Sequence, residues 1–351
     1  MLSNYSEKII DDSFFNLIKQ DGSLIINLKG NNNVLISSWL NGGISHNLKN
    51  VVNLTVESDD YGGLDDGRYD NFQKNKFTDL GLDYENTAGL LTSACMDNYA
   101  FSNKKYEQLE VTAIVTAGAD KNAVKAGDGA SFYEYNNNYF NTFGTINIIV
   151  IIDANLDDGA LVTASITATE AKSVVLQDLK IESQYSTGIA TGTGTDGIAI
   201  ISNKSSNNHI ENAGKHSKLG ELIAKSVIEA TKEALYLQTF MSADFQSTVL
   251  SRLSRFNITF EDFYKGVSID KTTYASEFYY FNNNKQNVAF VSMVLNLIDE
   301  INMGLLKLED ILKPLKILFK SYLDITVEEK IENVNDIIDL LIKSINHHLF
   351  D

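Results

Sequence analysis

The segment Ala190–Gly197, with the sequence ATGTGTDG, concentrates residues that could do chemistry. Its three glycines match G-x-G-x-x-G, the spacing of loops that bind a dinucleotide. Those loops open a helix whose N-terminus faces the pyrophosphate, whereas here the strand-like run IAIIS follows, so we disfavour a nucleotide-dependent oxidoreductase. Two interpretations stay open. The segment is either a tight loop entering a strand or a loop whose N–H groups and threonine hydroxyls bind a polar ligand or an oxyanion.

Two further segments of small residues follow predicted strands. Asn41-Gly42-Gly43 comes after a short strand that ends near Trp39, and the sequence TAGA of residues 116–119 ends another strand. Loops of this kind are expected where a site lies along one edge of a sheet. They are equally expected in ordinary turns, because turns favour Asn and Gly.

His216 precedes the most regular predicted helix, within the sequence AGKHSKLGE of residues 213–221. An imidazole there could act as a general acid/base, with Glu221 near it after the bend. The alternative is a solvated loop histidine. His46 and His209 are too far apart in sequence to suggest a metal cluster, and neither H-E-x-x-H nor C-x-x-C nor G-x-S-x-G occurs. The sequence therefore predicts no metal and no cofactor.

Composition and charge narrow the class of protein. The 351 residues include 29 Lys and Arg against 46 Asp and Glu, a net charge of −17 that disfavours nucleic acid as a partner. The single cysteine cannot form an intramolecular disulfide. The N-terminal sequence MLSNYSEKIIDDSFF is not a signal peptide, and the longest apolar run, Ile148–Ile152, is too short to span a bilayer. We expect a cytoplasmic protein without membrane contact.

The first two thirds of the chain mix predicted strands with two helices. The run Ile146–Ile152 is nearly unbroken Ile and Val, as in a central strand buried on both faces. The next run, Leu161–Thr167, alternates apolar and polar residues, and the DDG sequence before it predicts a hairpin turn. The other predicted strands are Leu24–Leu28, Val34–Ile36, Val51–Val56, Val111–Val115 and Gly197–Ile201.

Helices are predicted from Thr169 to about Leu179 and, with a clearer apolar stripe, from Ser217 to about Leu237. This mixture predicts an α+β fold, with a mixed β-sheet and packed helices, over residues 1–240. Residues 241–351 change to helical spacing and predict an all-helical extension, with helices over Met293–Leu308, Ile311–Leu323 and Val327–Leu349. Loops are expected at Ser58–Tyr69, Tyr135–Asn141 and Phe281–Lys285.

Several segments, taken in order, resemble the adenosylcobinamide amidohydrolase family, also called CbiZ. The segments are WLNGG at 39–43, LTSA at 91–94, VTAG at 115–118, GTINI at 144–148, DDGALV at 157–162, ATEAK at 168–172, ATGTGTD at 190–196 and GKHSKLGE at 214–221. The resemblance spans about Leu24 to Leu237. It implies hydrolysis of the amide between a corrin propionate and 1-amino-2-propanol, giving adenosylcobyric acid during corrinoid salvage.

The resemblance also indicates which residues to suspect. For catalysis these are His216, Asp196 and Glu170, with either carboxylate able to orient the imidazole. The expected substrate-binding residues are Asn41, Gly42, Gly43, Thr116, Gly118, Asn147, Thr191, Thr193, Thr195 and Glu221. A covalent route through a threonine hydroxyl stays open, and attack by a water activated by His216 or a carboxylate is the simpler alternative.

A second hypothesis belongs to another class of protein. The chain could be a corrinoid-binding protein without turnover, whose C-terminal helices contact a partner. The retention of His216, Asp196, Glu170 and Asn41 together favours the enzyme, because a protein that only binds has less need of ionisable groups. The C-terminal helices could also form a homo-oligomer through their apolar faces.

Overall fold

The computed structural model of the protein describes residues 6–56, 69–130 and 145–350. The predicted loops at Ser58–Tyr69 and Tyr135–Asn141 lie outside the described residues, apart from Tyr69. The chain divides into two compact units, Met1–Ser242 and Ala243–Asp351.

The first unit contains strands and three longer helices. The strands are β1 (Ser6–Asp11), β2 (Phe15–Gln20), β3 (Ser23–Leu28), β4 (Asn32–Ile36), β5 (Gly43–His46), β6 (Asn50–Thr55), β7 (Thr87–Thr92), β8 (Ala100–Tyr106), β9 (Leu109–Ala117), β10 (Ala123–Val124), β11 (Ile146–Ile152), β12 (Asn155–Leu156), β13 (Gly192–Thr193), β14 (Gly197–Asn203) and β15 (His209–Ile210). The helices are α1 (Tyr69–Asp79), α2 (Asp158–Asp178) and α3 (Lys218–Thr239).

Two mixed sheets stack face to face. The first sheet has the order β1-β2-β3-β6-β7 and the second the order β5-β4-β14-β11-β9-β8. Apolar side chains from both sheets form one core between them, including Leu24 and Val51 from the first sheet and Ile149 and Ile201 from the second. The structure confirms the α+β class and divides the predicted mixed sheet into these two.

Helices cover the outer faces of the sandwich. The outer face of the second sheet packs against α2 and α3 in the largest apolar cluster. On the first sheet, Phe77 of α1 packs against Ile25, Val52 and Leu54. The central strands are therefore covered on both faces, which explains why β11, at the centre of the second sheet, has all seven residues buried.

The structure confirms most of the predicted strands. Leu24–Leu28, Val34–Ile36, Val111–Val115, Ile146–Ile152 and Gly197–Ile201 all lie within strands, and the predicted strand Val51–Val56 is β6 to within one residue at each end. The predicted helix Ser217–Leu237 is α3, with Ser217 as its N-cap accepting the Gly220 N–H at 3.0 Å.

The predicted hairpin at Leu161–Thr167 is wrong, because these residues belong to α2. The helix begins at Asp158 rather than Thr169. Its buried face includes small residues at helical spacing, among them Ala160, Ala164 and Ala168, and the alternation of apolar and polar residues is incidental to this spacing. Asp157 is the N-cap residue of the helix and not part of a turn between strands.

The second unit is helical throughout its described elements. They are α4 (Val249–Leu253), α5 (Phe260–Tyr264), α6 (Lys271–Asn283), α7 (Lys285–Asn302), α8 (Leu308–Leu323) and α9 (Val334–Phe350). They enclose an apolar core of their own. The predicted helix at Met293–Leu308 is the second half of α7, which begins earlier and ends at Asn302, and the predicted loop at Phe281–Lys285 is the short junction of α6 and α7 around Asn284. In the parts of the chain that the structure describes, no helix is long and apolar enough to cross a bilayer.

Candidate active site

The carboxylate of Asp196 lies where β11 and β14 begin, and it accepts hydrogen bonds from four groups. Its Oδ1 accepts from Thr193 Oγ1 at 2.6 Å and from Ile146 N at 3.1 Å. Its Oδ2 accepts from Thr193 N at 3.0 Å and contacts the Nζ of Lys172 in a salt bridge. Because its oxygens are engaged by these donors, the carboxylate is suited to ordering the residues around it rather than to removing a proton.

The glycines of Gly192–Gly197 make room for side chains. A Cβ on Gly192 would lie 2.3 Å from Asp196 Oδ2, a Cβ on Gly194 would lie 3.0 Å from Asn122 Oδ1, and a Cβ on Gly197 would lie 2.5 Å from Asn147 Oδ1. The last glycine opens strand β14, so no helix N-terminus follows the motif. The glycine spacing of this loop is therefore explained by the room that the glycines leave for neighbouring side chains, and not by the binding of a dinucleotide.

Threonine hydroxyls converge beside this carboxylate. The hydroxyl of Thr145, which is buried, contacts the hydroxyl of Thr195 and donates to the Thr195 carbonyl at 3.2 Å. Thr191 is engaged elsewhere, because its hydroxyl accepts from Ala126 N at 2.9 Å and its carbonyl accepts from Ser173 Oγ at 2.8 Å. Of these hydroxyls, that of Thr193 binds Asp196 directly, and those of Thr145 and Thr195 belong to the residues that precede Ile146 and Asp196.

A buried polar network lies next to them, between the two sheets. Asn147 donates its Nδ2 to Asn53 Oδ1 at 2.7 Å and to Leu91 O at 2.9 Å. Asn53 in turn donates to Thr116 Oγ1 at 2.9 Å. The Oδ1 of Asn147 is buried, has no hydrogen-bond partner among the described residues, and faces Gly197. This network joins the predicted residues Thr116 and Asn147 to the same end of the sandwich.

Asn41 and Gly42 lie in the connection of the β4–β5 hairpin, and Gly43, with a φ of 90°, is the first residue of β5. Asn41 has a φ of 56° and donates its side-chain amide to the carbonyls of Tyr84 and Thr87, both at 2.8 Å. A Cβ on Gly42 would lie 2.0 Å from the Ser38 carbonyl oxygen. These contacts give all three residues a role in a turn. They match the interpretation of this segment as an ordinary turn.

His216 lies toward the opposite end of the second sheet from Asp196. Lys218, two residues further on, places its Nζ 4.6 Å from the ring centroid of Tyr106, beside the turn into β9. Along β9 and β11, Val111 pairs with Ile152 near that turn, and Ala117 pairs with Ile146 beside Asp196. His216 is exposed and makes no hydrogen bond to the residues that the structure describes. The structure does not bring His216 and Asp196 together.

The two predicted glutamates lie on the outer surface of the helices. Glu170, on α2, forms an exposed ion pair with Lys215. Glu221, on α3, lies between Lys218 and Lys225, and its hydrogen bonds to these ammonium groups lower its pKa to about 2. Gly118 directly follows β9, and a Cβ there would lie 3.6 Å from the Gln238 side chain.

Three residues of this end were missed as candidates from sequence. Lys172 and Thr145 lie within segments that carry the resemblance, ATEAK and GTINI, so the signal was there but their side chains suggested no chemistry. Asn53 belongs to a different strand, and nothing in its local sequence indicates a partner 94 positions away. Within the described ranges, no group of three or more His, Cys, Asp or Glu side chains could hold a metal ion.

Comparison with known proteins gives one family. A family profile described as adenosylcobinamide amidohydrolase, CbiZ, matches residues 7–243. An uncharacterized protein of Methanocaldococcus jannaschii is 38% identical over 184 residues, which cover 48% of this chain and 71% of that protein. A Methanosarcina mazei protein named adenosylcobinamide amidohydrolase is 36% identical over 103 residues, which cover 27% of this chain and 48% of that protein.

Solved structures give weaker likenesses. A Pyrococcus horikoshii protein superposes with a TM-score of 0.31 at 11% identity, over 65% of this chain and 82% of its own. The L-aminopeptidase D-Ala-esterase/amidase of Ochrobactrum anthropi gives a TM-score of 0.32 at 11% identity, over 62% and 78%. At TM-scores this low, neither structure establishes a common fold.

Proposed function

Because the chain belongs to the adenosylcobinamide amidohydrolase family, we propose that it hydrolyses the aminopropanol amide of adenosylcobinamide. Water adds across the amide bond, so the products are adenosylcobyric acid and 1-amino-2-propanol. The acid could then re-enter cobalamin synthesis, which gives the reaction a role in corrinoid salvage. The family match, over residues 7–243, covers nearly all of the two-sheet unit, and this observation carries the proposal.

We place the reaction at the end of the sandwich that carries Asp196. The loop Gly192–Asp196 and the start of β11 meet there. Asn147, the second residue of β11, connects them to Asn53 of the first sheet. Amide hydrolysis needs a nucleophile, groups that stabilise the tetrahedral oxyanion and a proton for the leaving amine. Among the described residues, this end offers the hydroxyls of Thr145, Thr193 and Thr195, the amide of Asn147 and the Lys172–Asp196 pair.

The backbone of the loop contributes less to an oxyanion site than the sequence suggested. Thr193 N donates to Asp196, and Gly194 N donates to the carbonyl of Asn122 at 3.2 Å. Both N–H groups are thus occupied within the protein, and stabilisation of the oxyanion would come from side-chain groups. The remaining predicted binding residues, Asn41, Gly42, Gly43, Thr116, Gly118, Asn147 and Thr191, would then shape the site by holding its loops rather than by touching the reacting atoms.

Two routes for the nucleophile fit these residues. In the first, a threonine hydroxyl attacks the amide carbonyl, the aminopropanol leaves with a proton, and water cleaves the resulting ester. In the second, a water held by the hydroxyls attacks directly. Mass spectrometry of acid-quenched enzyme separates them, because only the first route leaves a corrinoid acyl group on a peptide containing Thr145, Thr193 or Thr195.

The activity itself is tested by mixing the purified chain with adenosylcobinamide and separating the corrinoids by chromatography. We expect adenosylcobyric acid and free aminopropanol in equal amounts, and Thr195→Val to reduce their rate of formation. Binding of the corrinoid without release of aminopropanol would favour the non-catalytic binding protein. Failure to bind would contradict both functions.

A further inference from the structure

Lys172 lies on the buried face of α2, among the alanines that pack this helix against the second sheet. Its side chain is 8% exposed, and its ammonium is paired with Asp196. Lysines are almost never buried to this extent without a paired charge, since an ammonium loses its hydration there. The burial therefore indicates that the Lys172–Asp196 pair has a role in holding the segments that Asp196 binds.

The pair connects three segments of the chain. Asp196 receives Lys172 from α2, the Ile146 N–H from the first residue of β11, and the N–H and hydroxyl of Thr193 from the loop. The hydroxyls of Thr145 and Thr195, one from each of the latter two segments, contact each other immediately beside these bonds. The distance between these hydroxyls thus depends on a carboxylate that Lys172 neutralises.

We propose that Lys172 is a positioning residue for the hydrolysis described above. It acts through Asp196, by holding the carboxylate where it can bind the loop and the start of β11 at once, and it does not itself touch the substrate. The expected effect of Lys172 on turnover rests on the proposed function. The expected effect of Lys172 on the loop and on the start of β11 is independent of that function.

Gly192 provides a separate way to disturb the same contact. A Cβ at this position would lie 2.3 Å from Asp196 Oδ2 and 2.6 Å from the Lys172 Nζ, so Gly192→Ala pushes the two charges apart without removing either. Gly159 offers a matched control, because a Cβ there would meet open space. For the lysine, the control is Lys232→Met, which removes an exposed ion pair to Asp178 near the end of the same helix.

The experiment measures kcat and KM for adenosylcobinamide together with amide hydrogen exchange at Ile146 and Thr193. Misplacing reacting groups by about 1 Å costs on the order of 10²-fold in rate. We therefore expect Lys172→Met and Gly192→Ala to lower kcat about 10²-fold, to change KM less than about threefold, and to accelerate exchange at both amides. Lys172→Arg, which keeps the charge, should recover much of kcat, and the two control variants should match the unmodified protein.

Each other outcome is decisive. A folded Lys172→Met variant with unchanged kcat and unchanged exchange would overturn the proposal, as would a raised KM with unchanged kcat, which would place Lys172 in substrate binding. If Lys172→Met does not fold, Gly192→Ala carries the same measurements, and Lys172→Arg remains the variant expected to keep much of kcat. If the unmodified protein does not hydrolyse adenosylcobinamide, the proposed function fails, and exchange at Ile146 and Thr193 still decides whether Lys172 holds the two segments.

Discussion

At the scale of single residues, the position of a group along the sheet decides more than its chemical type. A histidine is the side chain most often used as a general base near neutral pH, and His216 has the right type. Asp196, at the other end of the strands, has the denser set of contacts, and its four donors belong to three different segments. The two residues therefore mark two separate locations for the chemistry, and one substitution can distinguish them.

We expect His216→Ala to keep turnover of adenosylcobinamide within about threefold of the unmodified protein. A general acid or base usually contributes about 10²–10⁴-fold. The exposed imidazole at the start of α3 makes no hydrogen bond to the described residues, so its removal should leave the Asp196 end unchanged. Steady-state rates at several pH values give the measurement. A loss of 10²-fold or more with normal folding would move the reaction to the His216 end.

A second residue-scale prediction concerns Tyr274 in the helical unit. Its ring is fully buried and its hydroxyl donates to Asn346 Oδ1 at 2.6 Å. Burial raises the pKa of this phenol to about 12, above the unfolded value of about 10. The contribution of the protonated phenol to the free energy of unfolding is fully present below the unfolded pKa. It is lost as the pH rises through the folded pKa.

The denaturant concentration at the unfolding midpoint of the helical unit should therefore decrease as the pH rises from about 10 to about 12. Tyr274→Phe should remove this component of the alkaline transition and, at neutral pH, cost about 1 kcal/mol for the lost hydrogen bond. Tyr280→Phe is the control, because that ring is 70% exposed. Denaturant unfolding across the pH range gives both values, and an alkaline profile shared by the two variants would contradict the assignment.

At the scale of elements, helix α3 shows a glycine retained against helix propensity. Gly220 lies in its first turn, and a Cβ there would lie 2.1 Å from the Gly214 carbonyl oxygen. Alanine is normally preferred over glycine in a helix by up to about 1 kcal/mol. We expect Gly220→Ala to destabilise the protein by about 1–3 kcal/mol instead, as overpacking does.

The matching substitution in α2 should behave in the opposite way. Gly159 also lies in the first turn of its helix, but a Cβ there would meet open space. Gly159→Ala should be neutral or stabilising by up to about 1 kcal/mol. Thermal unfolding of both variants provides the comparison. Equal effects would show that the Gly214 loop yields to the added methyl group.

How far sequence could predict these elements depended on what each buries. Ile146–Ile152 and the stripe of α3 were predictable, since long apolar side chains mark their buried faces. Helix α2 was mistaken at its start because many of its buried positions are alanines, which give little contrast with the Thr and Ser on its exposed face. The Lys172–Asp196 and Asn53–Asn147 contacts could not be predicted, because they join residues that come together only when the sheets and helices pack.

At the scale of the whole molecule, the two units have separate apolar cores. The family match ends at residue 243, within one residue of the end of the first unit at Ser242. We propose that the helical unit is an accessory domain that could form a homo-oligomer. The residues of the candidate site all belong to the two-sheet unit.

A chain of residues 1–242 should therefore fold and retain hydrolysis of adenosylcobinamide within a fewfold of the full chain. Circular dichroism and the chromatographic assay test this directly, and light scattering of both chains shows whether the helical unit mediates association. Complete loss of activity in a folded 1–242 chain would show that the helical unit completes the site or holds a required dimer.

The amides between the two sheets have a consequence for how the sheets find their alignment. Apolar side chains tolerate a shifted neighbour, but the bonds from Asn147 to Asn53 and from Asn53 to Thr116 require these residues to face each other. A slip of one residue along β6 would oppose Asn147 with Val52 or Leu54 and leave buried amides unpaired, at about 1–3 kcal/mol each. Misaligned pairings are thereby penalised at the end of the sandwich that carries the site, so the alignment is most strictly selected where the chemistry requires it.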